Sequence, residues 1–315
     1  MDPTPRPHAV SDVFATRDAL ALGHDDKSIA RLVRSGEWHR LRHGAYCAGA
    51  LWRDADARRR RLLVAEAAYQ AARSHVVLSH TSAADLLGAE VWDLPDTVHL
   101  TRTDARAGRS QAGVAQHRGT VRVGDLTRRD GRWATSGTRT ALDVISLTDV
   151  EHGLVVTNAL LHRGETSLPA LRQGLASTVR WPRHLHARLV VGLADGRCES
   201  VAESRTMYLF WRHHLPTPIP QYVVRDARGV IVARLDFAWP DLGVFAEVDG
   251  KVKYTTLLAP GDSAADALLR ERRREQLVVG LTGWRCVRLT WADLQHPERT
   301  VARVRAVLAG GLWAA

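Results

Sequence analysis

One segment, Glu247-Val248-Asp249-Gly250-Lys251-Val252-Lys253, constrains the fold of this 315-residue chain more than any other. Charged side chains alternate with valines, and a β-strand has a side-chain period of two. A strand regular through Gly250 therefore sends Val248 and Val252 into a core and turns Glu247, Asp249, Lys251 and Lys253 to the other side. The lysines are conspicuous. Of 44 basic residues only Lys27, Lys251 and Lys253 are lysine, and the rest are arginine. Two of the three lysines thus stand beside two carboxylates in one strand.

The flanking sequence supplies a sheet for that strand. A helix is expected over 199–213, with Glu199 and Glu203 one turn apart on one face. Pro216, Pro218 and Pro220 break it. Residues 221–225 and 230–237 read as a hairpin across Ala227-Arg228-Gly229. Pro240-Asp241-Leu242-Gly243 makes a turn, and 244–254 forms the third strand. An arginine-rich helix over 264–279, a strand over 284–289 and a closing helix from Trp291 complete the order αβββαβ. Adjacent strands lie about 4.8 Å apart, so Asp236 and Glu247 can share a site. Like charges so placed are costly unless a cation binds among them. A divalent ion held by Asp236 and Glu247 removes that cost and can activate a water. A lysine alongside can meet a phosphate or help deprotonate the water, because its pKa falls on burial.

The front of the chain gives a second signal. Thr16 is expected to cap a helix through Ala19, Leu20 and Leu22 that ends at Gly23. Asp25 or Asp26 caps the next helix, which runs to Ser35-Gly36. Ile29, Leu32 and Val33 are its apolar positions, and Lys27, Arg31 and Arg34 share the opposite face at 100° per residue. With the segment from Trp38 to Tyr46, which carries Arg40 and Arg42, this reads as a helix-turn-helix followed by a β wing. Such a basic face suits phosphates and base edges in a major groove. An amphipathic helix whose outer face is merely basic satisfies the same periodicity, and the two readings stand level.

Between them lies a mixed α/β region that carries no nameable chemistry. The run Arg58-Arg59-Arg60-Arg61 opens a helix through Ala72 and reads as a solvated face, with contact to a phosphate backbone as the alternative. His80, in Ser79-His80-Thr81-Ser82, shows no nucleophile–base partner and reads as structural. Strands are expected around Val98-His99-Leu100-Thr101 and Gly113-Val114-Ala115-Gln116-His117, and helices after Thr135 and around 150–162. The fold class is therefore α+β multidomain, with regions 1–50, 51–195 and 196–315.

Composition narrows the function. A net charge of +10 suits a polyanionic partner, and a solvated basic surface satisfies the same number. Cys47, Cys198 and Cys286 are isolated, against a disulfide framework or a zinc finger. No apolar stretch is long enough to span a bilayer, and no basic-then-apolar leader opens the sequence, so a cytoplasmic protein without membrane partners is expected.

At the tail, Asp236-Phe237-Ala238-Trp239-Pro240, Glu247-Val248-Asp249-Gly250, Arg273 with Leu277, and Gly283-Trp284 together resemble the PD-(D/E)XK restriction-endonuclease-like superfamily. Within it the likeness is to the small domains related to very-short-patch-repair endonucleases. The resemblance covers about the last 120 residues. It implies a Mg²⁺ (or Mn²⁺) site at Asp236 and Glu247, and Glu203 as the helix carboxylate with Glu199 as its competitor. It further implies Asp249 as auxiliary ligand and Lys251 or Lys253 at the scissile phosphate. A standard motif has lysine where Asp249 stands, and a retained fold with lost catalysis is the alternative. At the front, Phe14-Ala15-Thr16, Gly23, Arg31-Leu32-Val33-Arg34-Ser35-Gly36 and Arg40-Leu41-Arg42-His43-Gly44-Ala45-Tyr46 resemble the winged-helix head of AbiEi-type antitoxins. That resemblance implies a double-stranded DNA partner through Lys27, Arg31, Arg34, Arg40 and Arg42, and a cognate toxin. An endonuclease targeted by its winged helix and an antitoxin-like repressor with an inert tail are the two readings; RNA in place of DNA is not separated from them.

Overall fold

The computed structural model describes residues 12–72, 75–104, 106–249 and 264–310, with the main chain alone for 264–271. The chain is a mixed α/β protein of two compact units, Met1–Val144 and Ile145–Ala315. This division falls inside the middle region read from sequence, because side-chain bonds tie the helix beginning at Val150 to the last region.

The first unit begins with β1 (Phe14–Ala15) and α1 (Thr16–Ala21). Thr16 is the first helical residue and not the cap. Ala15 holds the cap position because β1 is kept extended by pairing with a later strand, and the Asp18 carboxylate accepts the Ala15 N–H at 2.7 Å. In α2 (Asp26–Arg34), Asp25 is the cap: its carboxylate accepts the Ser28 N–H at 2.7 Å while its own N–H donates to Ser28 Oγ at 2.8 Å. That reciprocal box satisfies two otherwise orphaned donors. Gly36, at φ +76°, lies just beyond the C-cap Ser35. β2 (Trp38–Arg42) and β3 (Ala45–Ala48) pair antiparallel across Gly44, giving the sheet order β1-β3-β2. Ala19, Ile29 and Tyr46 form the core beneath, with Phe14, Val33 and Trp38 packed on it.

After α3 (Gly49–Asp54), α4 (Ala57–Gln70) carries the arginine run. The run is solvated in part, with Arg58 and Arg60 exposed, yet all four arginines also reach protein partners. Arg61 forks onto the buried Asp85 carboxylate with two bonds of 2.7 Å, and Arg58 donates to the Asp85 carbonyl. Arg59 pairs with Asp12, and Arg60 donates to the Trp52 carbonyl with its guanidinium 5.3 Å from the Trp52 ring. Consecutive helical residues point about 100° apart, so four adjacent arginines reach different neighbours.

The larger sheet of this unit has the order β6-β7-β5-β4-β9-β8. Its chain order is β4 (Val76–Leu78), α5 (His80–Leu86), β5 (Val98–Arg102), β6 (Ser110–Gln111), β7 (Val114–Arg118), β8 (Leu126–Arg129) and β9 (Arg132–Thr135). β5 and β7 run parallel, with His99 opposite Ala115 and Thr101 opposite His117. α6 (Gly137–Leu147) crosses the boundary between the units.

The second unit continues with α7 (Val150–His162), α8 (Leu168–Ser177), α9 (His184–Leu193) and α10 (Val201–Arg212). Asn158 of α7 donates to Ser204 of α10 at 3.2 Å, and Arg205 of α10 pairs with Glu151 at 2.7 Å. Then come β10 (Ile219–Arg225), β11 (Ile231–Trp239), β12 (Val244–Asp249), α11 (Ala264–Thr282), β13 (Arg285–Thr290) and α12 (Pro297–Leu308). The order αβββαβ is thus present from α10 to β13. The sheet is β10-β11-β12-β13, antiparallel except for the parallel pair β12 and β13. One face packs Phe237, Ala246, Val248 and Leu289 against α10 and α12. The other packs Leu235, Ala238 and Phe245 with Val278 of α11. A sheet covered on both sides is apolar on both, which is why Phe245 as well as Val248 is buried. Gly250, Lys251, Val252 and Lys253 lie outside the described residues, and with them the rest of the expected strand.

Candidate functional site

The acidic residues of the tail stand near the point where the paired part of two strands ends. The main-chain ladder between β11 and β12 runs to Phe237 opposite Ala246. Asp236 and Glu247 each stand one residue beyond that last pair, and the Asp236 carboxylate itself accepts the Val248 N–H at 2.8 Å. Both are buried. Glu203 comes from the first turn of α10, also buried, and accepts from the Glu199 N–H at 3.0 Å, Ser200 Oγ at 2.8 Å and Gln221 Nε2 at 2.8 Å. Burial pushes its carboxyl above the usual range, and the negative charge of Asp236 pushes it further, against the pull of those donors. Gln221 reaches it from a strand residue at φ +52°, a left-handed conformation that is uncommon outside glycine.

Glu199 does not share the helix face expected of it. It precedes the N-cap Ser200, and its carboxylate pairs with Arg234 at 2.9 Å. The carboxylate near Asp236 is therefore Glu203. Arginines from the last elements reach the strand: Arg274 of α11 meets Glu247 at 3.1 Å, and Arg288 of β13 meets Asp249 at 3.3 Å and Glu275 at 2.7 Å. Carboxylate oxygens are the donors that Mg²⁺ and Mn²⁺ prefer, so Asp236 and Glu247 fit such an ion in kind. Arg274 at present satisfies part of Glu247.

In the first unit, Lys27, Arg31 and Arg34 all lie exposed on α2, opposite buried Ile29. Arg40 is exposed on β2 with its guanidinium 5.7 Å from the Tyr46 ring. Arg42 differs. It is partly buried, burial lowers its pKa, and it lines a cavity of about 550 Å³ together with Arg102, Arg109 and Gln116.

The sequence reading missed one cluster. His80, at the start of α5, stacks on His117 of β7 with ring centroids 3.9 Å apart. His99 Nδ1 lies 2.8 Å from His117 Nε2, and His80 Nδ1 lies 2.9 Å from Ser79 Oγ. Among the described residues these three histidines are the set whose donor atoms all lie within 4.8 Å of one another. Burial lowers all three imidazole pKa values, His99 to about 4, with mutual repulsion adding at His80 and His99 and the Arg139 charge adding at His80. The signal in the sequence was a histidine inside each of two apolar strand segments. It becomes readable only once β5 and β7 are known to pair.

Residues 9–49 match the family model described as "Transcriptional regulator, AbiEi antitoxin", which spans α1, α2, β2 and β3. The uncharacterized protein Rv2248 of Mycobacterium tuberculosis (strain ATCC 25618 / H37Rv) is 30% identical over 244 residues, covering 75% of this chain and 84% of that one. The uncharacterized protein MT2308 of strain CDC 1551 / Oshkosh matches to the same extent. No described helix is long and apolar enough to cross a membrane. With a relationship of that extent along the chain, the protein belongs to the family of these two mycobacterial proteins, and its front segment is similar to the AbiEi antitoxin regulator domain.

Proposed function

We propose that the protein is a DNA-binding transcriptional regulator that docks α2 in the major groove of duplex DNA, with β2 and β3 as a wing along the backbone. The observation that carries this reading is the exposed row Lys27, Arg31 and Arg34 on a firmly capped helix, inside the segment that matches a regulator family. Arg40 joins that surface at the wing. Arg42, partly buried in the wall of a cavity, contributes less. An antitoxin-like role adds a cognate toxin as the second partner. The test is a gel shift with DNA upstream of the gene. Binding that is sequence-specific, and lost when Lys27, Arg31 and Arg34 are all changed to Ala, supports the reading. Binding unaffected by that triple change overturns it. Equal competition by RNA moves the substrate from DNA to RNA.

A second reading rests on the buried carboxylates of the second unit. The order αβββαβ, with Asp236 and Glu247 each one residue beyond the last pair of β11 and β12, favours a nuclease-like domain of the PD-(D/E)XK kind. Asp236 and Glu247 would hold Mg²⁺ or Mn²⁺, which when bound supplies an activated water. Glu203 would orient a ligand, Asp249 would be auxiliary, and Lys251 or Lys253 would meet the phosphate. Arg274 must then release Glu247. Incubation of the whole protein with plasmid DNA and Mn²⁺, beside Asp236→Ala, decides. Cleavage that disappears in the variant supports the reading, whereas cleavage in both or in neither leaves a regulator with an inert tail.

A further inference from the structure

We propose that His80, His99 and His117 are the ligands of a divalent transition-metal ion of the zinc class, held inside the first unit. The proposal is independent of the carboxylate site and stands whether or not that site cleaves DNA.

Geometry is the first argument. Three imidazoles from three different elements bring their donor atoms within 4.8 Å of one another. Zinc–nitrogen bonds are about 2.0–2.1 Å, so the nitrogens of a tetrahedral site stand roughly 3.3 Å apart. The pair His99 and His117, now 2.8 Å apart, needs to open by about half an ångström around an ion. Imidazole is a ligand that zinc and its neighbours in the first transition row favour, and three of them leave one position open.

Protonation is the second argument. A metal ligand must be a neutral imidazole, and these three rings lie in direct contact with one another, His99 on His117 by a hydrogen bond and His80 on His117 by stacking. One proton now lies between His99 Nδ1 and His117 Nε2. The ring that carries it moves it to its other nitrogen when both lone pairs turn to the ion. This is a change of tautomer, with no net release of a proton. At His80 an Nδ1–H donated to Ser79 Oγ leaves Nε2 as the free lone pair, which is the usual way an outer partner orients a ligating imidazole.

The surroundings supply the rest. His80 holds φ +51° although it is buried, and such strain in a non-glycine residue gathers at sites with a task. Thr101 lies two residues after His99, on the same face of β5, and opposite His117 in the parallel ladder. It is buried, and its hydroxyl has no hydrogen-bond partner. A buried hydroxyl left unsatisfied is costly and asks for an occupant nearby. A metal-bound water in the open position would give it one. The Ser82 hydroxyl accepts the His99 N–H at 2.9 Å, so α5 and β5 are already held together beside the site.

The test uses the whole protein, stripped with a chelator and titrated with Zn²⁺ in competition with a chromophoric chelator, then with Co²⁺ for its visible spectrum. We expect one tight Zn²⁺ per chain, retained in Asp236→Ala and lost in His99→Ala. Co²⁺ should show tetrahedral bands of nitrogen and oxygen ligation. Ser79→Ala, which frees the His80 ring, should weaken binding about tenfold or more. His117→Gln, at a partly exposed ring, decides the matter should His99→Ala fail to fold by circular dichroism. Absence of tight Zn²⁺ binding, binding that survives His117→Gln, or thiolate bands in the Co²⁺ spectrum would each overturn the proposal.

Discussion

His99 and Asp143 illustrate how burial alone sets the properties of a residue. Without metal, the His99 imidazole titrates at about 4 in the folded chain against 6.5 when free. Between those values the unfolded chain takes up a proton that the folded chain refuses. The stability tied to His99 is therefore complete above pH 6.5 and lost as the pH falls towards 4, by roughly 3 kcal/mol. His80 shifts in the same direction and adds to the effect. Urea midpoints measured in chelator from pH 7 to pH 4 should fall accordingly, and the fall should shrink in His99→Gln. Asp143 is the converse. Burial raises its carboxyl to about 6 in spite of the Arg139 guanidinium 2.8 Å away. Asp143→Asn leaves that guanidinium inside the protein, still donating to Asp125 and the Thr120 carbonyl but without its buried counter-charge. Because the folded chain holds the Asp143 proton up to about pH 6 and the unfolded chain loses it near 3.8, stability tied to Asp143 falls as the pH rises between those values, and Asp143→Asn should remove that fall from urea midpoints measured from pH 4 to pH 7. Neither property was legible in the sequence. His80, His99 and His117 sit far apart along the chain, and only strand register joins two of them.

Elements were more legible than contacts. α2 could be read to within a residue or two because its start and stop are local chemistry: Asp25 with Ser28 at one end and Gly36 at the other. α1 was misread at its cap because the choice between Ala15 and Thr16 depends on a β-pairing with Tyr46 and Ala45 far along the chain. Glu199 was placed on a helix although the signal against it is local, since Ser200 takes the cap, accepts the Glu203 N–H and leaves Glu199 outside. Two predictions belong here. If α2 lies along a DNA groove, each of Lys27→Ala, Arg31→Ala and Arg34→Ala should reduce the slope of log affinity against log salt by about one. Far-UV circular dichroism should not change. Gly49 opens α3 where a Cβ would stand 1.9 Å from the Gly36 carbonyl oxygen. Gly49→Ala should therefore push α3 off the turn after α2, lowering the melting temperature and weakening DNA binding together.

The order αβββαβ was legible across the tail because turn residues and alternating apolar runs mark the boundaries: β10, β11, α11 and β13 appear in the order read, and β12 as far as Asp249, where the described residues stop. The split into two units was less so. Asn158 and Arg205, with their partners Ser204 and Glu151, gather part of the apparent middle region into the second unit, and no composition change announces it. The net charge of +10 looked like an invitation to a polyanion, yet many of the arginines that make it are engaged within the protein. Arg61 on Asp85 is one of them. A guanidinium grips a carboxylate with two parallel bonds, where an ammonium offers a single point of attachment. Arg61→Lys preserves the formal charge and the isoelectric point but should lower the melting temperature measurably, because α4 loses one prong of its hold on α5. A version of this protein recoded from arginine to lysine throughout would migrate the same in an electric field and come apart sooner on heating: in this chain the guanidinium is as much a structural fastener as a carrier of charge.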